Sequence, residues 1–114
     1  MPEPVDTSNL DMLKDVIGDD LKDILQSFID IAPGSLAEIR LAIDNSDADA
    51  LRLHAHTLKG SSANVGATEL PTLCLTLETQ GKDGQVTGLE ADFKAVETET
   101  HRVEAFLQRY IDGL

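Results

Sequence analysis

The sequence predicts an all-α fold: an antiparallel four-helix bundle with a short extra helix at its N-terminus. Apolar residues recur every three or four positions along nearly the whole chain, which is the period of an amphipathic helix. Aromatic residues make up only 4% of the chain, so aliphatic side chains must fill the core. No segment carries a β-hairpin signal, and short connections between long amphipathic segments are typical of helical bundles.

The composition bounds both the domain organisation and the function. The 114 residues predict one domain, residues 1–114, which can bury a core without disulfides. A net charge of −12 disfavours nucleic acids and anionic membrane surfaces as partners. The single cysteine, Cys74, is expected in the core and fits a reducing compartment. With neither a membrane-spanning apolar run nor a secretory signal, we expect a monomeric cytoplasmic protein.

Five helical segments are expected, and the first two precede residue 46. The first begins at an N-cap on Ser8 or Asn9 and ends at Gly18. The second runs from about residue 20 to 45. Its apolar stripe keeps its phase across Pro33, so we expect one kinked helix rather than two. That stripe comprises Leu21, Ile24, Leu25, Phe28, Ala32, Leu36, Ile39 and Ile43.

The other three helices are bounded by capping patterns and glycines. Ser46 opens a run that resembles a capping box, and that helix ends near Gly66. The fourth helix begins near residue 68, with Pro71 in its first turn, and is expected to end at Gly81. The fifth follows the capping-box pattern that starts at Thr87. Its apolar seam comprises Leu89, Phe93, Val96, Thr100, Val103, Leu107, Tyr110 and Leu114.

The third helix presents two different faces. At about 100° per residue, its core stripe lies roughly 100–140° away from most of the face that carries His56. Arg52, Lys59, Gly60 and Ala63 lie within about 60° of His56 on that second face. The core stripe comprises Leu51, Ala55, Leu58, Ser62 and Val65.

This grouping supports two interpretations. A neutral imidazole is a good nucleophile at physiological pH, and Lys59 and Arg52 offer positive charge for phosphate oxygens. Gly60, which costs about 1 kcal/mol relative to Ala inside a helix, gives another protein close access. Equally, a surface histidine beside a lysine is common, and a mid-helix glycine can serve helix packing. Geometry alone leaves both interpretations open.

The remaining histidines carry less information. His54 lies near the edge of the core stripe, where a partly buried structural role is expected, and His101 is expected to be solvated without a partner. No cysteine and histidine cluster has metal-ligand spacing, and the predicted core contains no inward Glu-x-x-His pair. The sequence therefore predicts no metal site and no phosphate-binding loop.

At this face the sequence resembles the histidine-containing phosphotransfer (HPt) domains of two-component phosphorelays. The resemblance implies that His56 accepts phosphate on its outer ring nitrogen, that Lys59 stabilises this phosphate, and that Gly60 clears space for the partner. Glu78 falls where the family often places a Gln or Glu that holds the other ring nitrogen; a solvated surface charge is the alternative. The resemblance rests on the run Ala55-His56-Thr57-Leu58-Lys59-Gly60-Ser61-Ser62-Ala63-Asn64-Val65-Gly66-Ala67, with Leu70, Leu73, Cys74, Leu77 and Glu78 after it.

The resemblance implies reversible phosphoryl transfer: His56 takes the group from the aspartate of one response-regulator receiver domain and passes it to the aspartate of another. A hybrid sensor histidine kinase is expected upstream of this relay. The chain itself would have no kinase activity and no cofactor, because the receiver supplies Mg²⁺. Arg52, Leu53, Gly60 and Ala63, with residues from the preceding helix, would dock the receiver. A non-phosphorylated helical adaptor that binds receivers is the alternative, although it would have no need of His56.

Overall fold

The computed structural model describes residues 3–114, and it confirms the predicted all-α bundle. Helices α2 to α5 pack in a ring in which α3 contacts α2 and α4, and α5 closes the ring against the same two helices. Helix α1 is the short extra helix and packs on α2. The helices are α1 (Thr7–Ile17), α2 (Asp20–Asp44), α3 (Ala48–Asn64), α4 (Leu70–Lys82) and α5 (Glu90–Asp112). Among the described residues no helix is both long and apolar enough to cross a membrane.

The core is aliphatic, as the composition predicted. All five members of the predicted α3 stripe are buried, and so is Cys74. Helix α2 continues through Pro33 as a single helix, in agreement with the unbroken phase of its stripe. The prediction was wrong for Ile24, which is 42% exposed and lies at an open groove between α2 and α3.

The end of the α5 seam was also misplaced. Ile111 is buried there, whereas Tyr110 is only half-buried and Leu114 is exposed. The predicted seam spaces its apolar residues alternately four and three positions apart, which is an average period of 3.5 residues, whereas a straight helix has 3.6 residues per turn. Over three heptads the buried face therefore drifts by about 60°, which is more than half of the step between neighbouring residues and favours Ile111 over Tyr110.

Two predicted N-caps are shifted to neighbouring aspartates. Helix α1 is capped by Asp6, whose carboxylate accepts a hydrogen bond from the Ser8 N–H at 2.9 Å. Helix α3 is capped by Asp47, which accepts from the Ala50 N–H at 3.0 Å. Ser46 takes a positive φ of 52° in the preceding turn and so does not cap. These capping hydrogen bonds satisfy helix N–H groups that otherwise lack an acceptor.

Two further boundary predictions failed. The Thr87 side chain does not cap α5, whose N-cap position is taken by Leu89 without a side-chain hydrogen bond. Gly81 does not end α4 but lies buried inside it, with Lys82 as the last helical residue. Gly81 instead faces the backbone of α3 at close range.

The extended N-terminal segment closes over the turn between α3 and α4. The N–H of Asp6 donates to the carbonyl of Gly66 at 2.9 Å, and the N–H of Thr68 donates to the carbonyl of Pro4 at 3.0 Å. Val5 forms an isolated antiparallel bridge with Ala67 and is itself buried. These contacts fix the turn that sets α4 against α3.

On the opposite side of the bundle, one arginine joins α2 to α5. Arg40 donates to Asp44 at 2.7 Å and to Glu90 at 3.0 Å, and its guanidinium lies 4.8 Å from the centre of the Phe93 ring. The planar guanidinium can make both contacts at once. Both carboxylates and the cation–π contact hold the first turn of α5 against the last turn of α2.

Candidate functional site

The His56 imidazole, Glu78 and Lys59 form a cluster that spans α3 and α4. The His56 side chain is 64% exposed, and its Nδ1 lies 3.0 Å from Oε2 of Glu78. The ammonium of Lys59 lies 2.7 Å from the other carboxylate oxygen, Oε1. One carboxylate from α4 therefore holds two side chains of α3. We call these three residues the His56–Glu78–Lys59 cluster.

The helix geometry explains why these residues meet. His56 and Lys59 are three positions apart, so they lie on one side of α3. Glu78 follows the fully buried Leu77 by one position, which places it at the edge of α4 rather than in the core. Because α3 and α4 pack side by side along their lengths, that edge faces the His56 side of α3. The Glu78 side chain is 19% exposed.

The contact with an ionised Glu78 assigns the tautomer of the neutral His56 ring. The pKa of Glu78 is lowered from its ordinary value, first by Lys59 and then by the hydrogen bond from His56, against an opposing effect of partial desolvation. An ionised carboxylate can only accept hydrogen bonds, so the imidazole proton must be on Nδ1. In the neutral ring, Nε2 then carries the free lone pair. No hydrogen bond from a described residue occupies it.

His101 provides an internal comparison. Its side chain is 65% exposed and its Nδ1 lies 3.2 Å from Glu104, one turn along α5. The expectation that it has no partner was wrong, since the Glu at i+3 is within reach. A carboxylate contact and exposure are therefore not sufficient to single out His56. What distinguishes His56 is that its carboxylate comes from another helix and also contacts a lysine.

His54 and Cys74 have structural surroundings. The His54 side chain is 30% exposed, with Nε2 at 3.6 Å from Glu38 of α2, in agreement with the predicted partial burial. Burial raises the pKa of the Cys74 thiol to about 12, with a further contribution from Glu78. A thiol with this pKa stays protonated at physiological pH and is a poor nucleophile. Across residues 3–114, no three His, Cys, Asp or Glu side chains are grouped to hold a metal ion.

The four residues predicted to dock a partner are all exposed around His56. The Leu53 side chain is 59% exposed, and Arg52, Gly60 and Ala63 are also exposed. A methyl group built on Gly60 would meet no atom within 4 Å, so this glycine answers no packing demand within the bundle. The helix surface at His56 is thus open to an approaching backbone.

Sequence reasoning missed the groove beside this face. Ile24 and Ile31 of α2 are 42% and 58% exposed. They line an open depression between α2 and α3 together with Phe28, Ser61 and Asn64. The signal was available in the sequence, because two isoleucines seven positions apart lie on one side of a helix. Ile24 was instead assigned to the core stripe.

Comparison with known proteins identifies the family. The family model described as "Hpt domain" matches residues 23–109. The chain belongs to the Hpt domain family. This family comprises phosphotransfer carriers of two-component phosphorelays, which are not kinases. A search of curated proteins gives no match.

Two solved structures share the Hpt fold. Histidine-containing phosphotransfer protein B (HptB) from Pseudomonas aeruginosa PAO1 is 27% identical, with a TM-score of 0.93, and the alignment covers 100% of this chain and 99% of that one. The HPT domain of an Hpt sensor hybrid histidine kinase from Shewanella is 19% identical, with a TM-score of 0.84 and coverage of 98% and 97%. The second similarity shows the fold alone.

The titration of Glu78 tests the cluster directly. Because Lys59 is the main cause of the lowered pKa, Lys59→Ala should raise the pKa of Glu78 towards its ordinary value, as measured by carboxyl NMR titration. A lowered folded-state pKa adds stability that is complete above the unfolded value of about 4.3 and is lost as the pH falls through the folded value. As the pH falls through this acid range, the Lys59→Ala variant should therefore lose less of its free energy of unfolding than the wild type does. Lys94→Ala, which removes a lysine paired with Glu97, is the control, and an unchanged Glu78 titration in Lys59→Ala would refute the ion pair.

Proposed function

We propose that this Hpt domain is a phosphorelay carrier whose His56 reversibly accepts a phosphoryl group from a receiver-domain phosphoaspartate and passes it to another response regulator. The observation that carries the proposal is the 3.0 Å contact between His56 Nδ1 and Glu78. This contact leaves Nε2, on an exposed ring, as the nucleophile. A hybrid sensor histidine kinase would stand at the start of the relay.

In the proposed reaction, the Nε2 lone pair of His56 attacks the phosphorus atom. A phosphorus–nitrogen bond forms while the bond from phosphorus to the aspartate oxygen breaks, and the aspartate leaves as a carboxylate. The proton on Nδ1 stays in place, so positive charge develops on the ring. The ionised Glu78 stabilises this charge, as a carboxylate does for an imidazolium elsewhere. Transfer to the next receiver is the reverse of these steps.

Lys59 is proposed to neutralise the arriving phosphoryl group. Its ammonium contacts Glu78 in the unphosphorylated protein, and its side chain is 28% exposed at the end of a flexible stem. A phosphoryl group on Nε2 would place further negative charge near Glu78, so the cation gains by contacting phosphate oxygens. The chain would need no cofactor of its own, because the receiver is expected to bring Mg²⁺.

The receiver is proposed to dock on the open face of α3. Arg52, Leu53, Gly60 and Ala63 surround the histidine there, and the isoleucine-lined groove beside α2 adds apolar area. Apolar contact at the centre with polar residues at the rim is typical of protein interfaces. A small docking area would suit a carrier that must leave one receiver and bind another.

Phosphoryl labelling tests the site. Incubation with a phosphorylated receiver domain should place acid-labile, alkali-stable phosphate on the wild type and none on His56→Gln. His101→Gln is the matched control, since that histidine is equally exposed and also contacts a glutamate, and it should be labelled as the wild type is. Lys59→Ala should slow transfer about tenfold, as expected for loss of a charged contact.

Two results would contradict this proposal. Labelling of His56→Gln at the wild-type level would place the phosphate elsewhere. Binding of receivers with no label from any of them would favour the adaptor function instead.

Substitution of Gly60 tests the docking face. Gly60→Gln should slow transfer about tenfold by obstructing the partner, while the free energy of unfolding stays at or above the wild-type value because Gly is a poor helix former. Gly60→Ala should change the transfer rate little. Ala91→Gln, at a position of α5 that is also exposed, is the control for added bulk. Equal transfer rates for Gly60→Gln and the wild type would exclude this face from docking.

A further inference from the structure

The backbones of α3 and α4 approach each other closely at Gly81. A methyl group built on Gly81 would lie 2.7 Å from the backbone nitrogen of Arg52 and 2.8 Å from the carbonyl oxygen of Ala48. Both atoms belong to the backbone of α3, so no side-chain rotation can relieve the contact. Gly34 and Gly60, which also lie inside helices, have no atom within 4 Å of such a methyl group.

This contact lies one helical turn from the His56–Glu78–Lys59 cluster. Glu78 precedes Gly81 by three residues on α4, and His56 follows Arg52 by four residues on α3. Because the two helices run antiparallel, the steps from Gly81 to Glu78 and from Arg52 to His56 go in the same direction along the pair. Each step is about one turn, or about 5.4 Å. The distance between the helices at Gly81 therefore governs the distance across the cluster.

From this geometry we infer that Gly81 is a positioning residue for phosphoryl transfer: its missing side chain lets α4 come close enough for Glu78 to hold Nδ1 of His56. This inference rests on the proposed function of His56. Ordinary contact begins near 3.4 Å, so an alanine methyl group, 2.7 Å from the Arg52 nitrogen, would push the helices apart by about 0.7 Å. Added to the 3.0 Å between His56 and Glu78, that displacement takes the pair beyond hydrogen-bonding distance unless the Glu78 side chain follows.

The burial of Gly81 supports a role in packing over a role in ending the helix. The residue is buried, its φ is not positive, and one further residue, Lys82, still belongs to α4. A glycine inside a helix costs about 1 kcal/mol relative to alanine. The close approach of the α3 backbone explains why glycine is found here although alanine is the better helix former.

The first test measures the protonation of the His56 ring in the protein alone. Nitrogen NMR of the imidazole distinguishes a protonated from an unprotonated ring nitrogen. In the neutral ring of the wild type the proton should reside on Nδ1, whereas Gly81→Ala should share it between both nitrogens, as Glu78→Ala should. Gly34→Ala, a mid-helix glycine without close neighbours, is the control and should retain the wild-type spectrum. A wild-type spectrum from folded Gly81→Ala would overturn the inference.

The second test separates positioning from a general loss of stability. Gly81→Ala should slow transfer from a phosphorylated receiver about tenfold, yet it should cause no further slowing when Glu78 is already alanine. Residues that act through one contact show this non-additivity. If Gly81→Ala slows transfer by the same factor in both backgrounds, it does not act through Glu78 and the inference fails.

A third variant covers the case in which Gly81→Ala does not fold. Glu78→Asp draws the carboxylate back by one methylene group without disturbing the packing at Gly81. If the helix separation sets the contact, this variant should lose the Nδ1 preference as fully as Glu78→Ala does. A retained preference would show that the separation is not limiting. Because the ring spectrum requires no partner, a failure of phosphoryl transfer in the wild type would count against the proposed function, while the spectrum alone decides whether Gly81 sets the contact between His56 and Glu78.

Discussion

The site depends on the carboxylate of Glu78, because this group bridges two helices and contacts two side chains of different chemistry. One oxygen faces the imidazole of His56 and the other faces the ammonium of Lys59. The ion pair with Lys59 lowers the pKa of this carboxylate further below neutral pH, and the ionised carboxylate accepts a hydrogen bond from the imidazole Nδ1. Lys59 thus shares the carboxylate that orients His56 and also places its own positive charge nearby. The bundle supplies the constraint that makes this possible, namely a fixed separation of α3 and α4.

Two cations lie on the His56 side of α3 although the whole chain is strongly acidic. At a net charge of −12, the protein as a whole repels a phosphoryl group. Lys59 and the exposed Arg52 lie on the His56 side of α3, and charges within a few ångströms outweigh screened charges farther than about 8–10 Å away. Arg40, by contrast, is committed to Asp44 and Glu90 on the opposite side of the bundle. The cations near His56 are therefore the ones that bear on the proposed transfer.

Periodicity was sufficient to predict the helices and the face of α3 that points to solvent, because both follow from the order of apolar residues within one segment. The contact between His56 and Glu78 could not be derived in this way. These residues are 22 positions apart, and their meeting depends on the register between two helices, which no single segment encodes. Only the family resemblance indicated it. The cap of α3 was misplaced by one position because Ser46 and Asp47 are both good capping residues, and Ser46 adopts a positive φ in the preceding turn.

Glycine was the residue type whose meaning the sequence left most ambiguous. Gly81 follows an apolar stripe and reads as a helix end, but it is a point of close helix packing. The sequence allowed Gly60 to serve either helix packing or access for a partner, and the structure shows open space around it. The two differ only in what lies opposite them, which is a property of the tertiary structure. Ile24 was wrongly assigned to the core for the same reason: within one helix, a residue at the edge of the core stripe cannot be distinguished from one that lines a groove.

The most direct test of this account is the bonding of phosphorus in the phosphorylated protein. Phosphorus and nitrogen NMR on protein labelled by a phosphorylated receiver should show the phosphoryl group bonded to Nε2 of His56, with Nδ1 still protonated and facing Glu78. This result would place the nucleophile and the carboxylate in the arrangement that the cluster implies. Phosphate on Nδ1 of His56, or on another residue, would contradict it.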